Sequence, residues 1–373
     1  PLRRQRQMCI RDSYITSPSS PRCKGLSTTT GPNRPQKSII GRMNELDWQP
    51  DPLGDGFEQV ALPQGKDPDS RTRVDAVLVR DVRASRSTKP EKPAVLWVHG
   101  MSDYFFQAHV ADEFTQHGYP FYALDLRRCG RALRKGQRAH FTLSMSRYFP
   151  ELTQALEILA AEHGSVVVLA HSTGGLIVPL WADHLRREKP AEHAKLAGVI
   201  LNSPWLDMQF PKWLVAALKP VLNLFGTIFP SLPLLQRGEG TYGKSIHKDF
   251  HGEWEFNTEW KPIDGHRKYL GWIRAVIQGQ EQIHAGNVDT GVPTLTLCSS
   301  HSYLGEDYSP AADTADTVLD VDQIQRWAPT LSDETEVQVI DGARHDVFLS
   351  ERHAREAAFK AVFGWLDGQH FAQ

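Results

Sequence analysis

Between residues 94 and 204 four short, almost wholly apolar runs alternate with longer amphipathic stretches. The runs are AVLWVHG (94–100), FYALDL (121–126), SVVVLA (165–170) and AGVILNSP (197–204). Runs this short and this free of polar residues fit strands buried on both faces, which is how parallel sheets read. Between them, FFQAHVADEFTQHG (105–118) and ELTQALEILAAEHG (151–164) have helical spacing and stop at Gly118 and Gly164, and a third helix is expected from Thr173. Strands that alternate with helices imply βαβ crossovers, so the expected fold class is α/β, with a mainly parallel, doubly wound sheet. FEQVALP (57–63) and TRVDAVLVRDV (72–82) read as an opening antiparallel pair. PTLTLCSS (293–300), EVQVIDG (336–342) and a helix over 351–368 close the chain.

The alternation breaks once. Residues 208–285 are rich in Trp, Phe and Pro and lack a convincing strand, so they are expected to form a helical cap inserted after the sixth strand. The division that follows is a leader (1–42), a first core part (43–207), the cap (208–285) and a second core part (286–373). The most apolar stretch of the cap, 213–235, is interrupted by Lys219, Pro220, Pro230 and Pro233. It is not expected to cross a membrane, which takes roughly 18–20 apolar residues.

Charge sets the leader apart. Residues 1–42 carry nine Lys/Arg against one acid, Asp12, so the net −2 of the 373-residue chain divides into +8 there and −10 in the rest. An acidic body argues against nucleic-acid binding, which needs a basic footprint. The leader is Ser/Thr/Pro/Arg-rich and has no apolar centre like that of a secretory signal; it is expected to be disordered or non-native, with Met43 as a plausible true start. Cys9 and Cys23 fall in it, leaving Cys129 and Cys298 as expected reduced thiols of a cytoplasmic protein.

Four motifs carry chemistry. AHSTG (170–174) has the form G-x-S-x-G with Ala170 for the first Gly, at the strand-to-helix turn this motif requires; it makes Ser172 the candidate nucleophile. WVHGMS (97–102) ends a strand upstream, so the backbone N–H groups of Met101 and Thr173 are the expected oxyanion donors. TADTVLD (314–320) offers Asp316 as the acid, with Asp313, Asp320 and, far upstream, Asp207 as rival candidates. VIDGARHDVF (339–348) offers His345 in the loop after the last strand. The order Ser172, Asp316, His345 is the one used by α/β-hydrolase triads. Neighbouring residues receive plainer roles. His99 and His171 read as packing or loop hydrogen bonds, Arg127, Arg128 and Arg131 as braces of their loop, and Asp125 as its organiser. Nothing in the sequence places a histidine beside Cys129. Asp346 reads as solvent-facing or loop-capping.

On these motifs, together with LDLRRCGRALRKGQ (124–137) and LNSPWLD (201–207), the chain resembles the α/β-hydrolase superfamily over residues 47–365. Within it the resemblance is to the serine aminopeptidase S33 and monoacylglycerol lipase-like (Hydrolase_4) group. It departs from that group at Ala170 and in the long stretch 299–316, where relatives have a short Gly-Asp turn. The resemblance implies an α/β-hydrolase fold and hydrolysis of carboxylic esters with an apolar acyl group, lysophospholipase- or monoacylglycerol lipase-like, through an acyl-enzyme. It implies no metal and no cofactor. The implied partner is a small ester or lipid substrate, with transient contact between the cap and a membrane surface. An S33-type aminopeptidase, with Asp249, Glu253 or Glu255 receiving the substrate amino group, and a non-catalytic binder on the same fold stay open.

Overall fold

The four apolar runs become neighbouring parallel strands in a computed structural model that describes residues 46–83, 92–209, 212–234, 240–305, 307–369 and 371. These lie in one unit, Ile39–Gln373; the other unit is Pro1–Ser38. The expectations for the leader, Cys9, Cys23 and Met43 fall outside the described residues, as do positions 210–211 and 235–239.

The strands are β1 (Gln49–Pro50), β2 (Phe57–Lys66), β3 (Arg73–Asp81), β4 (Ala94–Val98), β5 (Phe121–Asp125), β6 (Val166–His171), β7 (Leu196–Asn202), β8 (Thr294–Ser299) and β9 (Thr335–Ile340). They form one sheet in the order β1-β2-β3-β5-β4-β6-β7-β8-β9. Pairing is antiparallel from β1 to β5 and parallel from β5 to β9. β1 is only two exposed residues long and has no periodicity to read. It moves the helical segment to a place after the seventh strand in chain order, not the sixth.

Side chains alternate between two cores. Ala94, Leu96 and Val98 of β4 face one core, while Val95 and Trp97 face the other. The first core is covered by α2 (Phe149–His163), α3 (Gly174–Glu188) and α7 (Leu270–His284), the second by α1 (Ala108–Gln116) and α9 (Arg352–Gly368). Helices α4 (Pro190–His193) and α8 (Val321–Trp327) are short connectors. Because the chain leaves β4 for β5 on one side and β6 on the other, β4 marks the point where the winding reverses. Ligands of open α/β sheets bind at the carboxyl ends of the strands around such a point.

Between β7 and β8 the chain forms α5 (Lys212–Ile228), α6 (Gly240–Ile246) and α7. Isolated bridges, Pro233 to Tyr269 and His247 to Trp254, are the only β pairing of this segment among the described residues. α7 lays Trp272, Ala275, Val276 and Ile283 on the first core. No helix of the described residues is long and apolar enough to cross a membrane.

Candidate active site

The turn after β6 is shaped by crowding. Ser172 has φ +53°, a left-handed conformation that costs an L-residue energy and persists only where its surroundings fix it. Its N–H donates to the Asn202 carbonyl at 3.0 Å, and its carbonyl accepts from Trp205 N–H at 3.0 Å. The flanking glycines leave no space for a side chain. A Cβ on Gly100 would stand 2.8 Å from Ser172 Cβ, one on Gly174 2.6 Å from the His99 carbonyl oxygen, and one on Gly175 2.6 Å from Pro204 Cβ. Ala170 points into the first core and is fully buried, so the extra methyl is accommodated where most members of the motif have glycine.

His345 arrives from the loop after β9. Its Nε2 lies 2.9 Å from Ser172 Oγ and its Nδ1 2.9 Å from Asp316 Oδ2. A carboxylate only accepts, so Nδ1 carries the proton and the Nε2 lone pair faces the serine hydroxyl. All three residues are buried, Ser172 at 7% exposure, His345 at 2% and Asp316 at 0%. The second carboxylate oxygen of Asp316 accepts from Val318 N–H and Leu319 N–H, both at 2.8 Å.

The long stretch after β8 leaves Asp316 beside His345. Asp316 N–H donates to the His301 carbonyl at 3.0 Å and the Asp316 carbonyl accepts from Tyr303 N–H at 2.8 Å, so the loop folds back to its own start. Asp313, at its far turn, pairs at 2.9 Å with Arg344, the neighbour of His345. Asp320 and Asp207 are engaged away from the histidine: Asp320 caps α8, and Asp207 accepts from Met208 N–H and Trp327 Nε1.

Met101 and Thr173 follow β4 and β6, and neither backbone N–H has an acceptor among the described residues. Both residues line one small cavity. Two such amides beside a serine and a histidine can hold an oxyanion, while the imidazole takes the hydroxyl proton.

Several supporting contacts join residues far apart in the sequence. Asp103, in the Met101 loop, accepts from Lys261 Nζ at 2.9 Å and from His171 Nδ1 at 3.2 Å, all three buried. Burial pushes the Asp103 carboxyl up, but the Lys261 charge and the His171 bond outweigh it and hold the group below the usual carboxylate range. His171 lies 4.9 Å from the His345 ring, and Tyr242 of α6 meets that ring edge-on at 5.4 Å. Asn202 donates to Asp346 Oδ1 at 2.7 Å and accepts from Val347 N–H at 3.1 Å, tying the end of β7 to the histidine loop.

Two sequence expectations are corrected. Asp346 is fully buried rather than solvent-facing, because besides capping the turn at Val347–Leu349 it accepts from Gln107 and Asn202 side chains. Cys129 does have a histidine beside it, His140 Nδ1 at 3.2 Å from Sγ, brought there by a loop eleven residues on. Burial holds that thiol well above its ordinary pKa, so it stays protonated. The plainer roles fit the contacts. Arg127 pairs with Glu151, Arg128 with Asp67 and Arg131 with Asp51 and Asp125, while Asp125 also accepts from Phe105 and Arg131 N–H. His99, Cys129 and His140 place one donor atom each within 4.8 Å of one another. Both His99 nitrogens are already used, toward the Gly100 carbonyl and Leu126 N–H, so a metal there would leave a buried amide unpaired.

Sheet order, turn and side-chain constellation together define an α/β hydrolase. The family described as Serine aminopeptidase, S33 (Hydrolase_4) matches residues 89–352, well over half of the chain, and the protein belongs to it. Solved structures share the fold. A monoglyceride lipase from Saccharomyces cerevisiae has TM-score 0.56 at 16% identity, over 83% of this chain and 96% of that one. The Paleococcus ferrophilus monoacylglycerol lipase has TM-score 0.53 at 21% identity, over 74% and 95%. A putative hydrolase from Agrobacterium vitis S4 has TM-score 0.52 at 14% identity, over 83% and 99%. Comparison with curated proteins gives no match.

Proposed function

We propose that the chain is a serine carboxylic ester hydrolase that works through an acyl-enzyme. The observation that carries this reading is the hydrogen-bonded line from Ser172 through His345 to Asp316, buried throughout and flanked by two unengaged amides. His345 takes the proton as Ser172 Oγ attacks the ester carbonyl. The Met101 and Thr173 amides receive the oxyanion, each donor contributing about 3–4 kcal/mol. His345 then protonates the departing alcohol and activates the water that releases the acid, while Asp316 holds the imidazole in one tautomer.

The acyl group is read as apolar, of the monoacylglycerol or lysophospholipid kind, which accords with the lipases among the structural relatives. In this reading 43–207 and 286–373 form the core and 208–285 the cap. Leu224, Phe225 and Ile228 near the end of α5, with Phe229 and Leu232 just beyond it, are each at least 44% exposed and suit contact with a lipid surface. The aminopeptidase reading has less support. Glu253 pairs with Arg355 and Glu255 with Lys248, all on exposed carboxylates, and Asp249 is 70% exposed beside His247. Turnover of p-nitrophenyl esters of graded chain length, set against aminoacyl-naphthylamides, tests the assignment. Ester turnover is expected to dominate; faster naphthylamide hydrolysis would move it to the peptidase, and no turnover of either to a binder.

A further inference from the structure

The cavity beside Met101 and Thr173 is small, with room for about one water-sized group, and polar atoms stand in its wall. Its walls include Met101, Thr173, His140, Tyr148, Ile177 and Trp272. Two atoms of these wall residues are buried without a hydrogen-bond partner among the described residues: His140 Nε2 and Thr173 Oγ1. His140 is only 4% exposed and Thr173 5%. Unpaired buried groups of this kind are rare in folded proteins and cost about 1–3 kcal/mol each.

His140 is also held in place by its surroundings. It adopts φ +56°, an uncommon conformation for histidine. Its N–H donates to the Arg128 carbonyl at 3.2 Å, and its carbonyl accepts from Tyr148 OH at 3.2 Å. Its Nδ1 rests against Cys129 Sγ, and its ring sits edge-on to His99 at 5.9 Å. Burial, with His99 and His266 nearby, keeps the imidazole neutral. With Nδ1 occupied by the thiol, Nε2 is left as a single neutral donor or acceptor, according to which way the thiol proton points.

We propose that His140 Nε2 and Thr173 Oγ1 determine specificity by binding a hydroxyl on the acyl group, within two carbons of the ester carbonyl, so that the preferred substrates are hydroxyacyl esters. A hydroxyl both donates and accepts, so it satisfies either tautomer of His140 and either rotamer of Thr173. The cavity adjoins Met101 and Thr173, whose amides would receive the carbonyl oxygen, so a hydroxyl held there lies close to the ester carbonyl. This deepens the ester-hydrolase reading and rests on it.

The test compares p-nitrophenyl butyrate with its 2-hydroxy and 3-hydroxy analogues, each kcat/KM divided by the uncatalysed rate. The intact chain is expected to favour one hydroxy ester at least about tenfold, roughly the worth of one well-made buried hydrogen bond. His140→Leu should erase that ratio, and His140→Gln, which keeps a polar end, should restore part of it. Labelling of Ser172 by a fluorophosphonate reports in the same samples that the nucleophile is in place. Should His140→Leu not fold, Thr173→Val carries the test, with a fall of at least about threefold in the ratio. Equal turnover of butyrate and both hydroxy esters overturns the proposal. So does a ratio that survives His140→Leu, the result expected if the cavity holds only a water. Absence of both turnover and labelling would strike the hydrolase reading instead.

Discussion

The turn at Ser172 and the helical segment between β7 and β8 treat their surfaces in opposite ways. Around the turn, three glycines meet neighbouring atoms so closely that no side chain fits, and the serine itself is 7% exposed. On α5 and just beyond it, five large apolar residues within nine positions stand open to solvent. One region is fixed by backbone crowding, so few sequences can build it. The other needs only an apolar face, which many sequences supply. The two are joined where Lys261 of the helical segment reaches Asp103 in the Met101 loop.

The contrast breaks first at the acid. Asp316→Asn should lower kcat for esters about 10³- to 10⁴-fold with little change in melting temperature, because the histidine loses the partner that fixes its tautomer. Asp207→Asn, whose carboxylate accepts from Trp327 and Met208 and lies 3.8 Å from His284, should stay within a few-fold. Steady-state kinetics on the two variants decide it, and the reverse ranking would reassign the acid.

The joint between the regions comes next. Lys261→Met leaves Asp103 buried without its cation and should cost about 3–5 kcal/mol in denaturant unfolding. Adding Asp103→Asn should return much of that. If the single variant is neutral, the ion pair does not join the segment to the loop.

Acid should act on the core more than on the helical segment. His163 is buried and accepts from Tyr122 OH at 2.9 Å; burial lowers its pKa from 6.5 to about 4. Unfolded chains take up that proton below pH 6.5 while the folded chain refuses it until about pH 4. The contribution is therefore complete above pH 6.5 and is lost as pH falls toward 4, by about 3 kcal/mol at most. Unfolding free energies measured across that window should slope less in His163→Gln; an unchanged slope would show that this group does not set the acid response.

Smallest of all, Phe225→Ser with Phe229→Ser should leave turnover of short soluble esters within about twofold while reducing sedimentation with phospholipid vesicles. Equal vesicle binding would separate α5 from any lipid surface.

Much of the fold is legible in the residues because the same physics writes both sequence and structure. Strands buried on two faces hold few polar side chains, so β4 to β7 stand out, and the elbow betrays itself through its small residues. The two-residue β1 does not, having no period. The buried links are silent as well. Asp103, Lys261 and His171 come from three separated stretches and share no spacing, and His140 reaches Cys129 only through a loop whose course depends on Tyr148 and Arg128. The stretch 299–316 reads in sequence as a threat to the acid. Its return to its own start, through Tyr303, His301 and Asp316, is a long-range pairing that no local pattern announces.

The central claim is tested most directly by where an acyl-like electrophile attaches. Reaction with a fluorophosphonate, followed by peptide mass mapping, should give one adduct on the peptide containing Ser172. It should be absent in Ser172→Ala and slowed about 10³-fold or more in His345→Ala. An adduct on another serine, or none on folded protein, would contradict it.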